Sequence, residues 1–122
     1  MTDTELYSEL ISAFHLMWDG FPFSAWLLKR DRTVLAANPA AVARGSQVGG
    51  RCYQVSGEKS VHKQCCANEA LQKGVAQRAC IYASAQNAVL DSYWLPLPGV
   101  KDVFVHTVIN ISHLAKPELF HE

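Results

Sequence analysis

The sequence has no excess of charge of either sign. Its 11 lysines and arginines balance 11 aspartates and glutamates, so the formal net charge at pH 7 is +0. Nucleic-acid binding relies on cationic side chains that neutralise phosphates, and a neutral chain gives no reason to expect it. Most of the basic residues lie between positions 21 and 80. A solvated helix face explains this basic middle most simply, and an anionic ligand is the alternative.

Long apolar runs and targeting signals are also missing. No window approaches the 18 or more apolar residues of a membrane span. The chain opens with the acidic residues 2–5 rather than with a basic region and an apolar run, as a signal peptide would. We therefore expect a cytoplasmic protein without a membrane span. The 122 residues suffice for one domain with one core.

Catalytic motifs are absent as well. The sequence contains no Gly-x-Ser-x-Gly, no glycine-rich phosphate loop and no His-Glu-x-x-His. His15, His106, His113 and His121 stand apart, without acidic neighbours at useful spacing. The sequence therefore predicts no catalytic residues and a protein that is not an enzyme.

An amphipathic helix is predicted at the N-terminus. Residues 2–5 fit a capping box, in which a hydroxyl and a carboxylate three residues later bond the first free N–H groups. Apolar residues then recur at spacings of three and four: Leu6, Leu10, Phe14 and Met17. This stripe needs a partner, and both the sheet of its own domain and the same helix of a second chain remain open.

The rest of the chain alternates strand patterns with one helical stretch. Strands are predicted at 24–30, 33–37, 75–84, 89–97 and 103–111, with a short helix at 40–44 and a longer helical segment at 59–73. In the last strand, Val103 and Val105 should face one side and Phe104 and His106 the other. Runs of strands around a helical insert indicate an α+β fold with one antiparallel sheet of five strands. The hairpin strands and the last strand are predicted to be neighbours, and the full strand order stays open.

Soft ligand atoms are concentrated in the middle of the chain. Three of the four cysteines and one histidine lie within fifteen positions: Cys52, His62, Cys65 and Cys66. A reducing cytosol argues against disulfides and leaves three alternatives, a metal site, redox thiols or buried structural cysteines. For a metal, these four residues are the candidate ligands, with Cys80 as a further donor. Zinc is the first candidate and an iron cofactor the second.

Several local motifs together resemble a PAS domain, a sensory module. They comprise Phe21–Leu28 with the turn at Asp31, the "N-x-A" at Asn38–Ala40, the "hydrophobic-G-x-x-C-Y" at Val48–Tyr53, and Asn110–Ser112, where such sheets commonly end in "D-I-T". The resemblance covers roughly residues 20 to 113. One branch of the family continues from Cys-Tyr to a Cys-x-x-Cys-Pro before an "E-A-L" helix, here Glu69–Leu71. Cys52, His62 and Cys65 match its three ligand positions, and Cys66 stands in the place of the proline.

The resemblance implies a division of the chain and a function. It divides the chain into an N-terminal helix that can serve dimerisation (1–20), a PAS-like domain (21–113) and a C-terminal tail or linker (114–122). It implies a sensory module that binds a small ligand, a metal or a redox signal in a pocket between the sheet and the helical insert.

The resemblance also names cofactor-binding candidates and partners. PAS pockets that hold haem use a histidine, which makes His62 and His106 candidates, and the aromatic Trp94 is a third cofactor-binding candidate. The implied partners are a second copy of the chain and, within a longer protein, an output domain of kinase or cyclase type. The alternative is a homodimerisation module without a ligand.

Overall fold

The order of helices and strands follows the α+β prediction. The computed structural model describes residues 2–56 and 64–121. Its helices and strands are α1 (Asp3–Trp18), β1 (Ser24–Lys29), β2 (Val34–Ala37), α2 (Pro39–Ala43), α3 (Ala67–Lys73), β3 (Gln77–Ala83), β4 (Ala88–Pro96) and β5 (Val103–Asn110). Short 3₁₀ turns lie at Cys52–Ser56, Ser84–Gln86, Ser112–Leu114 and Pro117–Leu119. The predicted PAS-like five-stranded antiparallel sheet with helices is confirmed.

The sheet places the first and the last strand side by side. Its order is β2-β1-β5-β4-β3, and each neighbouring pair is antiparallel. In this register His106 of β5 lies opposite both Trp26 of β1 and Trp94 of β4. The predicted neighbourhood of the hairpin strands and the last strand is confirmed by the pairing of β1 with β5. The full order, which the sequence left open, creates this row of three rings.

The sheet carries one apolar cluster on each face. The face that we call inner packs against the residues between β2 and β3, and its buried members include Trp26, Leu28, Ala41, Ala67, Ala70, Trp94 and Phe104. The outer face packs against α1, and its buried members include Phe14, Ala25, Leu27, Ala36, Val103 and Val105. The alternation predicted for β5 is therefore confirmed, with Phe104 inside and Val103 and Val105 outside.

Helix α1 begins as the capping box predicted and packs on its own sheet. The backbone N–H of Glu5 donates to Oγ1 of Thr2 at 3.1 Å. Phe14 is the buried side chain of the helix, whereas Leu16 and Met17 remain 88% and 70% exposed. The expectation that His15 lacks an acidic neighbour was wrong, because its Nδ1 lies 2.8 Å from Oδ1 of Asp19. The i,i+4 spacing brings the two side chains to one helix face.

The predicted helical segment 59–73 was too long. Residues 57–63 lie outside the described part of the chain. Beyond them the helix begins only at Ala67, so Cys65 is not helical. Cys65 and Cys66 both pack against the inner cluster, and Cys66 is the N-cap residue of α3. The end at Gly74 was predicted correctly, with φ +66.

None of the helices within residues 2–56 and 64–121 combines the length and the apolar character that a membrane crossing requires.

Candidate functional site

The inner face collects most of the predicted site residues. Cys52, Cys65 and Cys66 are half-buried and contact the inner cluster, of which Trp94 is a buried member. His106 lies in the same layer, opposite Trp94. His62 lies outside the described residues, so its prediction stays a prediction. The fourth cysteine, Cys80, is exposed on β3, between two residues that contact the inner cluster, and therefore points to the outer face.

A buried arginine lies beside these thiols. Arg32 occupies the turn between β1 and β2, where its φ of +72 is left-handed. The turn is held by Oδ1 of Asp31, which accepts from the N–H of Thr33 at 2.9 Å. Although most turn arginines are solvated, only 3% of Arg32 is exposed.

The guanidinium of Arg32 is only partly satisfied. Its Nη1 donates to the carbonyl oxygen of Arg30 and to Oδ1 of Asn68, the latter at 3.2 Å. Its Nη2 lies 3.5 Å from Sγ of Cys65, and its centre lies 5.8 Å from the ring centroid of Phe104. Its Nε is buried and has no hydrogen-bond partner within the described ranges. No carboxylate among the described residues forms an ion pair with it.

The three inner cysteines differ in their surroundings. Burial raises the pKa of the Cys52 thiol to about 11, and the nearby Cys65 adds to the rise, while Arg32 opposes it. Cys52 is therefore protonated at neutral pH. Burial also raises the pKa of Cys66, whose Sγ lies 3.4 Å from the carbonyl oxygen of Gln64. Cys65 is the thiol in contact with the guanidinium.

Three of the four predicted metal ligands, Cys52, Cys65 and Cys66, lie within the described residues. Among residues 2–56 and 64–121, no three His, Cys, Asp or Glu side chains come close enough together to hold an ion. The set of Cys52, His62, Cys65 and Cys66 includes a residue outside those ranges, so it stays a prediction.

An aromatic stack crosses the centre of the inner face. The His106 ring lies between Trp26 and Trp94, with centroid distances of 5.4 and 4.9 Å and interplanar angles of 18° and 14°. His106 Nδ1 lies 2.8 Å from the carbonyl oxygen of Tyr93, and Nε1 of Trp26 donates to Oγ of Ser46 at 2.7 Å. Both indoles are buried, so Trp94 is part of the core on the inner face.

Two surface grooves flank the sheet. One, of about 550 Å³, lies on the outer face and is lined by apolar residues including Met17, Phe21, Leu95 and Val105. The other, of about 320 Å³, lies at one end of the inner face beside Arg44. Neither of these two grooves is lined by Cys52 or Cys65.

Comparisons with known proteins give structural likeness without sequence matches. No family model matches the chain, and no curated protein matches it. A domain of an HTR-like protein from Haloarcula marismortui is 20% identical with a TM-score of 0.60, covering 74% of this chain and 98% of that one. A sensory box sensor histidine kinase from Vibrio cholerae is 11% identical with a TM-score of 0.60, covering 89% of this chain and 95% of that one. The fold is that of a PAS domain.

Sequence reasoning named the thiols of the inner face but not the arginine beside them. Cys52 and Cys65 could be proposed because thiols at ligand positions are rare enough to notice, and their role stays a prediction. Arg32 was not proposed, since an arginine after Asp31 in a hairpin connection has the pattern of an exposed turn. The stack of Trp26, His106 and Trp94 depends on the full strand order, of which the sequence predicted only that the hairpin strands and the last strand are neighbours.

Proposed function

We propose that this PAS domain is a sensory or regulatory module of signal transduction, which receives a small ligand, a metal or a redox signal on the inner face of its sheet. The observation that carries the proposal is the buried guanidinium of Arg32 in contact with Cys65. Burying a charge without a carboxylate partner costs several kcal/mol, about the size of a large mutational effect. Such unfavourable arrangements concentrate at functional sites.

The proposed mechanism is a population shift across the thickness of the sheet. A change at Cys52 or Cys65 alters packing against Phe104 and the other inner side chains. Successive residues of β1 and β5 point to opposite faces, so a shift of either strand also reaches α1 on the outer face. A ligand or redox change transmits a signal only if it favours one packing arrangement of the inner face and the strands over another. Helix α1, or the chain after Ile111, would pass it to an output domain of kinase or cyclase type.

A metal is one form that the signal can take. Cys52, His62, Cys65 and Cys66 would hold it, since thiolates and neutral imidazole suit zinc and iron. The guanidinium of Arg32 would offset the negative charge that several thiolates bring into the interior. A bound ion would tie the residues before α3 to the site around Cys52 in one fixed geometry.

Ligand and metal content tests this proposal. Protein purified without a tag or chelator is expected to carry about one zinc, iron or organic ligand per chain. Elemental analysis, an absorption spectrum and native mass spectrometry would measure it. The double variant Cys52→Ser and Cys65→Ser should lose the bound species, and Cys80→Ser, the matched control on the outer face, should keep it. Protein free of metal and ligand under all three measurements would contradict both forms of the signal.

A homodimerisation module is the second candidate. It is favoured by the exposed Leu16 and Met17 at the end of α1, beside the apolar outer groove. A second copy could bury both side chains in that groove, in an isologous contact. This arrangement would need no ligand.

Sedimentation velocity distinguishes this alternative. Wild-type protein at about 50 μM should sediment as a dimer if the outer groove is an interface of ordinary affinity. The double variant Leu16→Glu and Met17→Glu should then sediment as a monomer. Val75→Glu, which changes another exposed apolar residue away from the groove, should leave the dimer intact. A monomeric wild-type protein would reject the dimerisation reading.

A further inference from the structure

We propose that Cys65 is a thiol that reacts with hydroperoxides, that Arg32 promotes this reaction, and that Cys52 then converts the product to a Cys52–Cys65 disulfide. The inference rests on the proposed sensory function and specifies its signal as a hydroperoxide. It follows from the charge and contacts of Arg32 and from the different positions of the four cysteines.

The guanidinium has spare capacity for negative charge. Its hydrogen-bond partners in the described ranges are a backbone carbonyl, the amide oxygen of Asn68 and the sulfur of Cys65. None of the three is a carboxylate, and Nε has no hydrogen-bond partner within the described ranges. An oxygen that gains negative charge at Cys65 would therefore meet a fixed cation with donors to spare.

The cysteines divide into different roles by position. Cys65 contacts the guanidinium and is only half-buried, so a small hydroperoxide has a route to it. Cys52 lies beside the same arginine, because its backbone N–H donates to the carbonyl oxygen of Arg32 at 3.1 Å. It packs against the same inner cluster as Cys65, which places it to act second. Cys80 is exposed on the other face of the sheet and provides an internal reference.

The first step transfers one oxygen atom. The sulfur of Cys65 attacks the terminal oxygen of the hydroperoxide, an S–O bond forms and the O–O bond breaks. The sulfur loses two electrons to the peroxide, and the thiol proton leaves with the departing oxygen as an alcohol, or as water when the oxidant is hydrogen peroxide. Arg32 stabilises the negative charge that develops on the departing oxygen. The product is a sulfenic acid at Cys65.

The second step forms the disulfide. The Cys52 thiol attacks the sulfenic sulfur, an S–S bond forms, the S–O bond breaks, and water leaves with the Cys52 proton. The new bond removes the sulfur of Cys65 from the guanidinium and ties Cys52 to the start of α3. Exchange with an external dithiol reverses it. This changes the packing of the inner face, as the proposed sensory function requires.

Site-resolved oxidation tests the proposal. Reduced, chelator-treated protein would be exposed to hydrogen peroxide, and each cysteine would be followed by peptide mass spectrometry. Cys65 is expected to react about 10-fold or more faster than Cys80. A difference of this size corresponds to an activation free energy that is lower by roughly 1.4 kcal/mol. The major product should be the Cys52–Cys65 disulfide. In Cys52→Ser the sulfenic acid should accumulate at Cys65 and be trapped by a dione reagent.

Variants of Arg32 separate activation from mere accessibility. Arg32→Gln removes the charge and should slow Cys65 about 10-fold while leaving the rate at Cys80 unchanged. Arg32→Lys keeps a charge and should recover part of the rate. Cys66→Ser should leave the disulfide unaffected.

Two results would overturn the proposal. The first is a Cys65 that reacts no faster than Cys80 in the wild-type framework, a comparison that needs no Arg32 variant to fold. The second is an Arg32→Gln protein that stays folded and oxidises at the wild-type rate. Either failure would leave the metal and ligand forms of the sensor to be decided by their own measurements of bound species.

Discussion

Replacing Asn38 with aspartate is expected to lower the free energy of unfolding by about 4 kcal/mol, because it places a charge in a fully buried site and removes a donor. Asn38 has no exposed surface. Its Oδ1 accepts from the backbone N–H of Ala25 at 3.0 Å and of Ala41 at 3.1 Å. Aspartate would keep these two bonds.

The amide nitrogen is what aspartate cannot replace. Nδ2 of Asn38 donates to the carbonyl oxygens of Phe23, Trp18 and Phe21, at 2.8, 3.2 and 3.3 Å. A carboxylate would face these three oxygens with negative charge and leave buried acceptors unsatisfied. One side chain thus joins the end of α1, strand β1 and the first turn of α2, so its loss should affect the whole domain.

Urea unfolding at pH 7, followed by tryptophan fluorescence and circular dichroism, would measure the effect. The control is Asn110→Asp, because Asn110 is exposed and its amide oxygen accepts from Ser112 in the same local manner. That variant should stay within about 0.5 kcal/mol of wild type. A loss below about 1 kcal/mol in Asn38→Asp, the size of one ordinary hydrogen bond, would show that the site is not as closed as its burial implies.

Local sequence rules predicted those parts of the fold that depend on neighbours in the chain. The capping contact between Thr2 and Glu5 involves residues three apart, and the end of α3 at Gly74 needs only a left-handed residue. The alternation of β5 follows from the pleat of any strand. Each of these features is encoded within a few residues, and each was predicted correctly.

The candidate site depends on contacts that no local rule describes. Arg32 and Cys65 are 33 positions apart, and their contact exists because the β1–β2 turn folds against the start of α3. The same contact explains the error in the predicted helix, since the position of Cys65 is set by packing rather than by helix propensity. Thiols could therefore be proposed as site residues from sequence, but the cation that lies beside one of them could not.

Truncating Phe14 to alanine is expected to cost about 3–4 kcal/mol, as for other large-to-small changes in a close-packed core. The ring is 2% exposed and belongs to the outer cluster with Ala25 and Ala36, two residues with no exposed surface. Alanines provide a shallow surface that a phenyl ring can cover, and they cannot move to fill the space it would leave. The ring also lies 6.5 Å from that of Trp18 between centroids, so its loss would loosen the end of α1.

Two measurements would show whether that cost falls on the helix or on the domain. Urea unfolding gives the total loss, with Leu16→Ala as the control on the same helix, because Leu16 is 88% exposed and should cost less than about 0.5 kcal/mol. Amide hydrogen exchange gives its location. Faster exchange confined to residues 10–18, with β1 and β5 still protected, would show that α1 detaches while the sheet persists, the movement that a signal from the inner face must be able to cause. A Phe14→Ala protein as stable as the Leu16→Ala control would mean that α1 is not packed on the sheet in solution.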